Sequence, residues 1–419
     1  MKNTVKKLLL LLIVLLVAVP CFAATEDEVI SEALIGQRIA QYNVDLNAPF
    51  TKETSGISER VNHETGAITY TLSLFSLNAR TFEDTLSLSY STYNAKLMQE
   101  AYNCSNGSFY YRNLDFSDLE ITTEGFAVGW KLDLPYVEKF SDELYVHMPD
   151  GSVYLYSENE ETGLKDYKLK DVKFVSLSNS FTLSYLNGTQ YSFDKDGLLT
   201  RKSDRYGNFI DYIWNKVSSP YKLSSIASCT GKKIEFYYET DYVIVSNGDK
   251  KYEINRKKNS ADDKIPFLNS VTDPENRTTQ FSYGMTELDY TLGQDTSTIV
   301  NKYYPIESIV YHTGLETRYE YNVSKKNSGT GHLSYLKLAK RYDKAASGEI
   351  SNIQSYAYSG EPDGYPSYAQ GKLPSDYTYT STVYNQDGSK EVFVYNSNHD
   401  TLSKTEYVND IKRAESFYD

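Results

Sequence analysis

The sequence predicts a mainly β protein, built as an irregular array of antiparallel hairpins with a short N-terminal helix. Three observations predict it. The 419-residue chain holds 40 Tyr and 17 Phe but only 2 Trp. Tyrosine favours strands, where its ring packs and its hydroxyl reaches water or a partner. Short runs alternate apolar and polar residues with period two, as in "GAITYTLSL" and "DTLSLSYST". Along the second half of the chain, one pattern recurs: an aliphatic residue, a turn residue, then aromatic-x-aromatic.

The first element reads as a secretory signal peptide over residues 1–23. Lys2, Lys6 and Lys7 precede an apolar run from Leu8 to Val19, and small residues at Cys21 and Ala23 set cleavage after Ala23. Lipid attachment at Cys21 is the competing reading, and Pro20 fits it poorly. Removal of the peptide leaves 40 basic against 56 acidic residues, a net charge near −16. Such acidity argues against nucleic acid as a partner, because that binding rests on neutralising phosphates. It also argues against an anionic membrane surface after signal removal. The expected location is therefore secreted or extracellular, with cell-surface association as an extension of that reading.

Residues 24–48 read as an amphipathic helix and linker. Val29, Ile30, Ala33, Leu34 and Ile39 share one face, and Glu26 to Glu28 suit a helix N-terminus. Residues 49–180 read as a β lead-in, with a hairpin across Asp150-Gly151 in "LYVHMPDGSVYLYS". Residues 181–419 read as the hairpin array.

The array has a rule. Counting from Leu223 puts Ile226 at +3, Gly231 at +8, Phe236 at +13 and Tyr238 at +15. Leu268 gives Val271, Asn276, Phe281 and Tyr283 at the same offsets, and Ile306 gives Ile309, Gly314, Tyr319 and Tyr321. Leu199 gives Gly207, Tyr212 and Trp214, but Lys202 breaks the pattern at +3. Looser copies run from Leu336 to Tyr356 and Tyr358, and over Val383 to Asn396. Gly or Asn at +8 reaches positive φ at little cost. Residues two apart on a strand project from one face, so each aromatic pair does so. The unit starts are 24, 45 and 38 residues apart, too uneven for a solenoid of fixed coil length.

These residues resemble the Rhs/YD-repeat family. "GLLTRKSDRYGNFIDYIWN" and "LNSVTDPENRTTQFSY" look like its repeats. "DTLSLSYSTYNA", "GFAVGWKLDLPYVE" and "MPDGSVYLYS" resemble the opening region of Rhs and Tc-toxin shell proteins. The resemblance implies a hollow β-shell that encloses a toxic domain. Two departures matter: the closing core block, a "DP-G" segment with a cleavage-site aspartate, finds only an echo in "TDPEN" at Thr272 to Asn276, and no toxin domain follows. The resemblance therefore implies the opening part of a shell, open and cup-like and incomplete at its C-terminal end. An open shell leaves an unprotected sheet edge near its C-terminal end, so a partner chain that completes it, or marginal solubility of the isolated product, is expected there.

Candidates for chemistry are few. His63, His147, His312, His332 and His399 show no metal-ligand spacing, and no metal, cofactor or catalytic residue is expected. "DKDG" at Asp194 to Gly197 and "NQDG" at Asn385 to Gly388 suggest calcium loops. An EF-hand count puts Ser192 first and Ser203 twelfth, without the closing Glu, so hairpin turns explain both better. No pair of carboxylates stands out for glycoside hydrolysis, and no nucleophile motif occurs. "GTG" at Gly329 to Gly331 reads as a loop. Sequons lie at Asn103, Asn106, Asn187, Asn276 and Asn322. Cys104 and Cys229 allow one disulfide. Two functional readings follow: a secreted structural scaffold for encapsulation or cell–cell contact, and a surface module that binds glycan or protein through tyrosine-rich faces. No enzymatic activity is expected.

Overall fold

The computed structural model describes residues 57–92, 95–97, 99–103, 109–113, 126–140, 143–165, 167–217, 221–258, 266–291, 299–328, 331–360, 377–396 and 400–418. The signal peptide, the N-terminal helix, Cys104, Asn106 and His399 lie outside these residues. The described residues belong to one compact unit, and every named element in it is a β-strand.

The lead-in contributes ten strands: β1 (Ile57–Val61), β2 (Ile68–Asn78), β3 (Glu83–Ser91), β4 (Lys96–Leu97), β5 (Gln99–Asn103), β6 (Phe109–Asn113), β7 (Trp130–Leu132), β8 (Tyr136–Phe140), β9 (Glu143–His147) and β10 (Val153–Leu155). β1, β2, β3 and β7 form a four-stranded antiparallel sheet in that order. β8, β9 and β10 form a three-stranded sheet, with β9 and β10 joined across Asp150-Gly151. Gly151 takes φ +85 there, which glycine adopts without a Cβ clash.

The array begins with β11 (Val172–Leu177), β12 (Ser180–Tyr185), β13 (Gln190–Asp194), β14 (Leu199–Ser203), β15 (Phe209–Asn215), β16 (Lys222–Ser228), β17 (Lys233–Tyr238), β18 (Tyr242–Asn247), β19 (Lys250–Lys257), β20 (Phe267–Thr272) and β21 (Thr278–Tyr283). It continues with β22 (Thr286–Thr291), β23 (Ile299–Tyr303), β24 (Ile306–Val310), β25 (Glu316–Ser328), β26 (Gly331–Lys344), β27 (Ile350–Ser359), β28 (Thr378–Asn385), β29 (Ser389–Asn396), β30 (Thr401–Val408) and β31 (Ile411–Phe417). Each strand from β11 to β21 pairs antiparallel with the next. β21 then pairs with β24, and β24 to β31 continue in sequence order.

Two inserts explain the uneven unit spacing. The β18–β19 hairpin stays within the meander between β17 and β20. The β22–β23 hairpin leaves it: β22 continues onto the first residues of β26, and β23 pairs with β4. The same sequence signal, a longer gap, thus hides two different topologies.

Alternation decides which face is buried. In β18, Val243 and Val245 are fully buried while Tyr242 and Ile244, which alternate with them, are not. The four-stranded lead-in sheet lies against the buried face of the array. Tyr70 packs edge-on to Phe281 at 5.6 Å, Trp130 to Phe281 at 5.0 Å, and Phe75 to Tyr252 at 5.0 Å between ring centroids. Tyr70, Tyr90 and Trp130 are each 0% exposed. Burial on this scale contributes about 1.5–3 kcal/mol per large side chain. Where the resemblance implied a hollow interior, the array's inner side chains at these places are covered by the chain's own lead-in sheet.

Candidate functional site

The repeated aromatic ladder and the lead-in residues it meets form the most organised constellation among the described residues. Each unit opens on a buried aliphatic residue: Leu199, Leu223, Leu268 and Ile306 are 0–1% exposed. Each then makes the same turn. The +5 carbonyl accepts the N–H of the +8 residue, as in Gly231 to Ser228 (2.9 Å), Asn276 to Asp273 (3.0 Å) and Gly314 to Tyr311 (2.9 Å). The +8 residues Gly207, Gly231, Asn276 and Gly314 have φ of 82°, 84°, 60° and 83°. This is a tight hairpin turn closed by a left-handed residue.

The +13 rings point inward. Tyr212, Phe236, Phe281 and Tyr319 are 4–6% exposed. The +15 rings are half-buried, and in three units their polar tips reach back to their own unit's first residue. Trp214 Nε1 donates to the Leu199 carbonyl (2.7 Å), Tyr283 Oη to Leu268 (2.8 Å) and Tyr321 Oη to Ile306 (2.9 Å). Tyr238, the +15 ring of the Leu223 unit, packs edge-on against Phe126 at 6.0 Å.

A β-bulge falls between +14 and +15 in three units, at Ile213/Trp214, Ser282/Tyr283 and Glu320/Tyr321. There the +15 residue lies opposite the first residue of the next unit: Trp214 on Leu223, Tyr283 on Ile306, Tyr321 on Leu338. Bulges bend and twist a strand locally, so every such unit ends on a built-in turn of the sheet. In the fifth copy Tyr358 Oη donates to the carbonyl of Leu338 (3.0 Å). That copy therefore opens at Leu338, not Leu336, because its turn is longer and closes at Gly348 (φ 89°). The sixth copy follows the rule from Thr380: Val383 is 2% exposed, Gly388 has φ 82°, and Tyr395 sits at a bulge after Val394. At β19 the place opposite Leu268 is taken by Arg256, buried at 8% exposure.

Polar contacts fix the lead-in sheet at both ends of the ladder. Lys202 pairs with Asp84 of β3, whose carboxylate also accepts from Tyr212 Oη. Burial, then the Asp84 carboxylate, pushes the Tyr212 phenol well above its ordinary range. At the far end Arg341 pairs with Glu59 of β1 (3.1 Å) and with Asp343 (2.8 Å). Asp343 is 1% exposed and accepts from Thr317 Oγ1 (2.7 Å) and Asn352 Nδ2 (2.8 Å). Burial works against the Arg341 charge, but Glu59 and Asp343 outweigh it and hold the guanidinium protonated. In the middle, Trp130 Nε1 donates to Tyr283 Oη (2.8 Å), and Tyr90 Oη donates to the Tyr304 carbonyl (3.2 Å) while accepting the Ile306 N–H (3.0 Å).

The other candidates resolve into structural roles. In "DKDG", Lys216 bridges Asp194 and Asp196, so an internal ammonium sits between the carboxylates a cation would need. Asp194 Oδ1 also accepts the N–H groups of Asp196 (2.9 Å) and Leu198 (3.1 Å), closing a turn. Asp387 of "NQDG" accepts from Ser389 in the same way (2.9 and 2.6 Å). His147 stacks on Tyr136 at 3.8 Å and contacts Glu138 at 3.0 Å. His63 packs edge-on to Phe393 at 4.6 Å, and His312 is exposed in the Tyr311–Gly314 turn. Cys229 is half-buried. Among the described residues, no group of three His, Cys, Asp or Glu is arranged to hold a metal. The +13 rings of the ladder are buried, while Tyr206, Tyr237 and Tyr384 are exposed elsewhere on the array.

Sequence reasoning did not find Asp84, Glu59, Arg341 or Asp343. The signal available was a basic residue at +3, read at Lys202 only as a break in the rule.

No protein-family model and no curated protein matches the chain. Among solved structures it is similar to a Photorhabdus luminescens Tc holotoxin pore with a mutated TccC3, at 9% identity and a TM-score of 0.17 over 83% of this chain and 18% of that one. It is also similar to a TcdB2–TccC3 complex, at 7% identity and a TM-score of 0.15 over 84% of this chain and 20% of that one. Scores this low establish no shared fold. The chain spans about a fifth of the length of these solved chains.

Proposed function

We propose that this protein is a secreted structural scaffold, a YD-repeat hairpin array that serves containment or contact between cells. One observation supports the reading above others: the repeated aromatic pairs are committed to building the wall. Their rings pack inward, and the tips of Trp214, Tyr283 and Tyr321 hydrogen-bond to backbone carbonyls of their own units. A surface used for recognition or chemistry leaves such groups open to a ligand. Here they hold strands together instead. A partner protein chain, rather than a glycan, is the proposed contact.

The test is fractionation of the producing cell followed by chemical cross-linking of the intact protein. The scaffold reading expects the protein outside the cytoplasm, cross-linked to another protein chain, with no retention on immobilised glycans. A protein confined to the cytoplasm, or one retained by a specific glycan and released by the free sugar, overturns it.

A further inference from the structure

The inner face of the array is nearly self-similar. Unit after unit presents a buried aliphatic residue at its start and a buried ring at +13. Apolar packing is non-directional, so it gives the lead-in sheet no strong reason to sit over one set of units rather than the neighbouring set. Something else must choose.

The +3 position differs along the array. In the three middle units it is Ile226, Val271 and Ile309, each 0–3% exposed. In the unit that opens at Leu199 it is Lys202, and in the unit that opens at Leu338 it is Arg341. Those two bases are the ones that meet the lead-in carboxylates, Asp84 from β3 and Glu59 from β1. All four side chains are largely buried, at 16% and 22% exposure for Lys202 and Asp84, and 11% and 17% for Arg341 and Glu59.

We propose that Lys202–Asp84 and Arg341–Glu59 are an address code that sets which units the lead-in sheet covers. The two bases stand at the first and fifth units, and the two acids stand on different strands of the lead-in sheet, Glu59 on β1 and Asp84 on β3, so one placement satisfies both pairs. A slip by one unit sets Asp84 against Ile226, where a carboxylate is buried with no partner. Burying an unpaired charge is costly, whereas a correctly paired one adds little net stability over an apolar contact. The pairs therefore act mainly by excluding wrong placements, as buried polar residues do when they fix register elsewhere. These four are positioning residues, and the inference holds whatever the array finally contacts.

The experiment places a photoactivatable benzophenone at position 75 of the full chain. Phe75 faces Tyr252 in the native placement, so native cross-links fall on β19. An apolar variant carries Glu59→Leu, Asp84→Leu, Lys202→Ile and Arg341→Leu, with Asp343→Asn to remove the charge Arg341 would leave behind. The code predicts a folded protein whose cross-links spread to strands of other units. Cross-links that stay on β19 in the folded apolar variant overturn the proposal. A charge swap decides the matter if the apolar variant does not fold. Asp84→Lys alone is expected to lose the β19 cross-link, and Asp84→Lys with Lys202→Asp to regain it. An undisturbed cross-link in the single variant, or no recovery in the double, is equally fatal.

Discussion

Gly231 and Gly197 share one backbone conformation, with φ of 84° and 86°, but not one environment. A Cβ at Gly231 meets nothing within 4 Å, whereas a Cβ at Gly197 lies 1.8 Å from the carbonyl oxygen of Val137. Alanine at the two positions therefore separates the cost of the conformation from the cost of the contact. The left-handed region costs an L-residue about 1–2 kcal/mol. Gly231→Ala is expected to lose about 1 kcal/mol, after the stiffer unfolded chain offsets part of that cost. Gly231→Val loses more, because a β-branched residue fits the region worst. Gly231→Asn is expected to lose only a few tenths, about 0.3 kcal/mol, since Asn276 already holds φ 60° at the same offset in its own unit. Gly197→Ala carries the same conformational cost and must also push the Val137 backbone away. That push disrupts the bond from Val137 N to the Gly197 carbonyl (2.9 Å), so the total is about 3 kcal/mol or more. Gly314→Val behaves like Gly231→Val with a further contact, a Cβ at 3.3 Å from Ala346. Urea unfolding read by tryptophan fluorescence measures the series. Wild-type stability in Gly231→Val would show that positive φ is not what the turn position demands, and equal losses for Gly231→Ala and Gly197→Ala would show that the Val137 contact adds nothing to it.

Arg341→Met leaves Glu59 and Asp343 buried together without their guanidinium, and should destabilise by about 3–5 kcal/mol at neutral pH; a loss below about 1 kcal/mol by denaturant titration would remove the triad from the account. Tyr283→Phe leaves the Leu268 carbonyl without its hydroxyl donor and Trp130 Nε1 without its acceptor, and should cost about 1–3 kcal/mol in urea unfolding; an unchanged midpoint would refute it. Burial holds the His63 imidazole below its ordinary 6.5, with Glu391 opposing and Lys404 assisting. The unfolded chain therefore binds the proton first, and stability is lost as pH falls below 6.5. Thermal melts at pH 7.5 and 5.5 should show a larger drop for wild type than for His63→Phe, and equal drops would refute the assignment. Phe417 is 75% exposed on the last described strand, so Phe417→Asp should weaken concentration-dependent association in sedimentation velocity; unchanged association would clear that edge.

Local properties were the legible ones. Positive φ at Gly207, Gly231, Asn276 and Gly314 is a property of one residue and its turn, and residue type reports it directly. The inward aim of the +13 rings follows from the period of a strand, whereas the bulge between +14 and +15 is not written in that period. What the ladder packs against was not legible, because Trp130 and Tyr283 are 153 residues apart and no local pattern ties them. The fifth unit was misplaced by two residues, from Leu338 to Leu336, because both are leucines and only the hydrogen bond from Tyr358 tells them apart. Lys202 looked like an error in the pattern until its partner on β3 was in view. A charge at an apolar position carries meaning only with the opposite charge beside it.

The β22–β23 hairpin shows what a seam between units permits. It fills the gap between Tyr283 and Ile306, yet these two residues still pair directly across β21 and β24. The wall closes beneath the excursion as though nothing had been added. For an engineer this marks a graft point: a fluorescent reporter, an epitope or a foreign binding loop spliced there hangs from a finished edge. The same property makes the length of the polypeptide a poor guide to the number of courses in the wall.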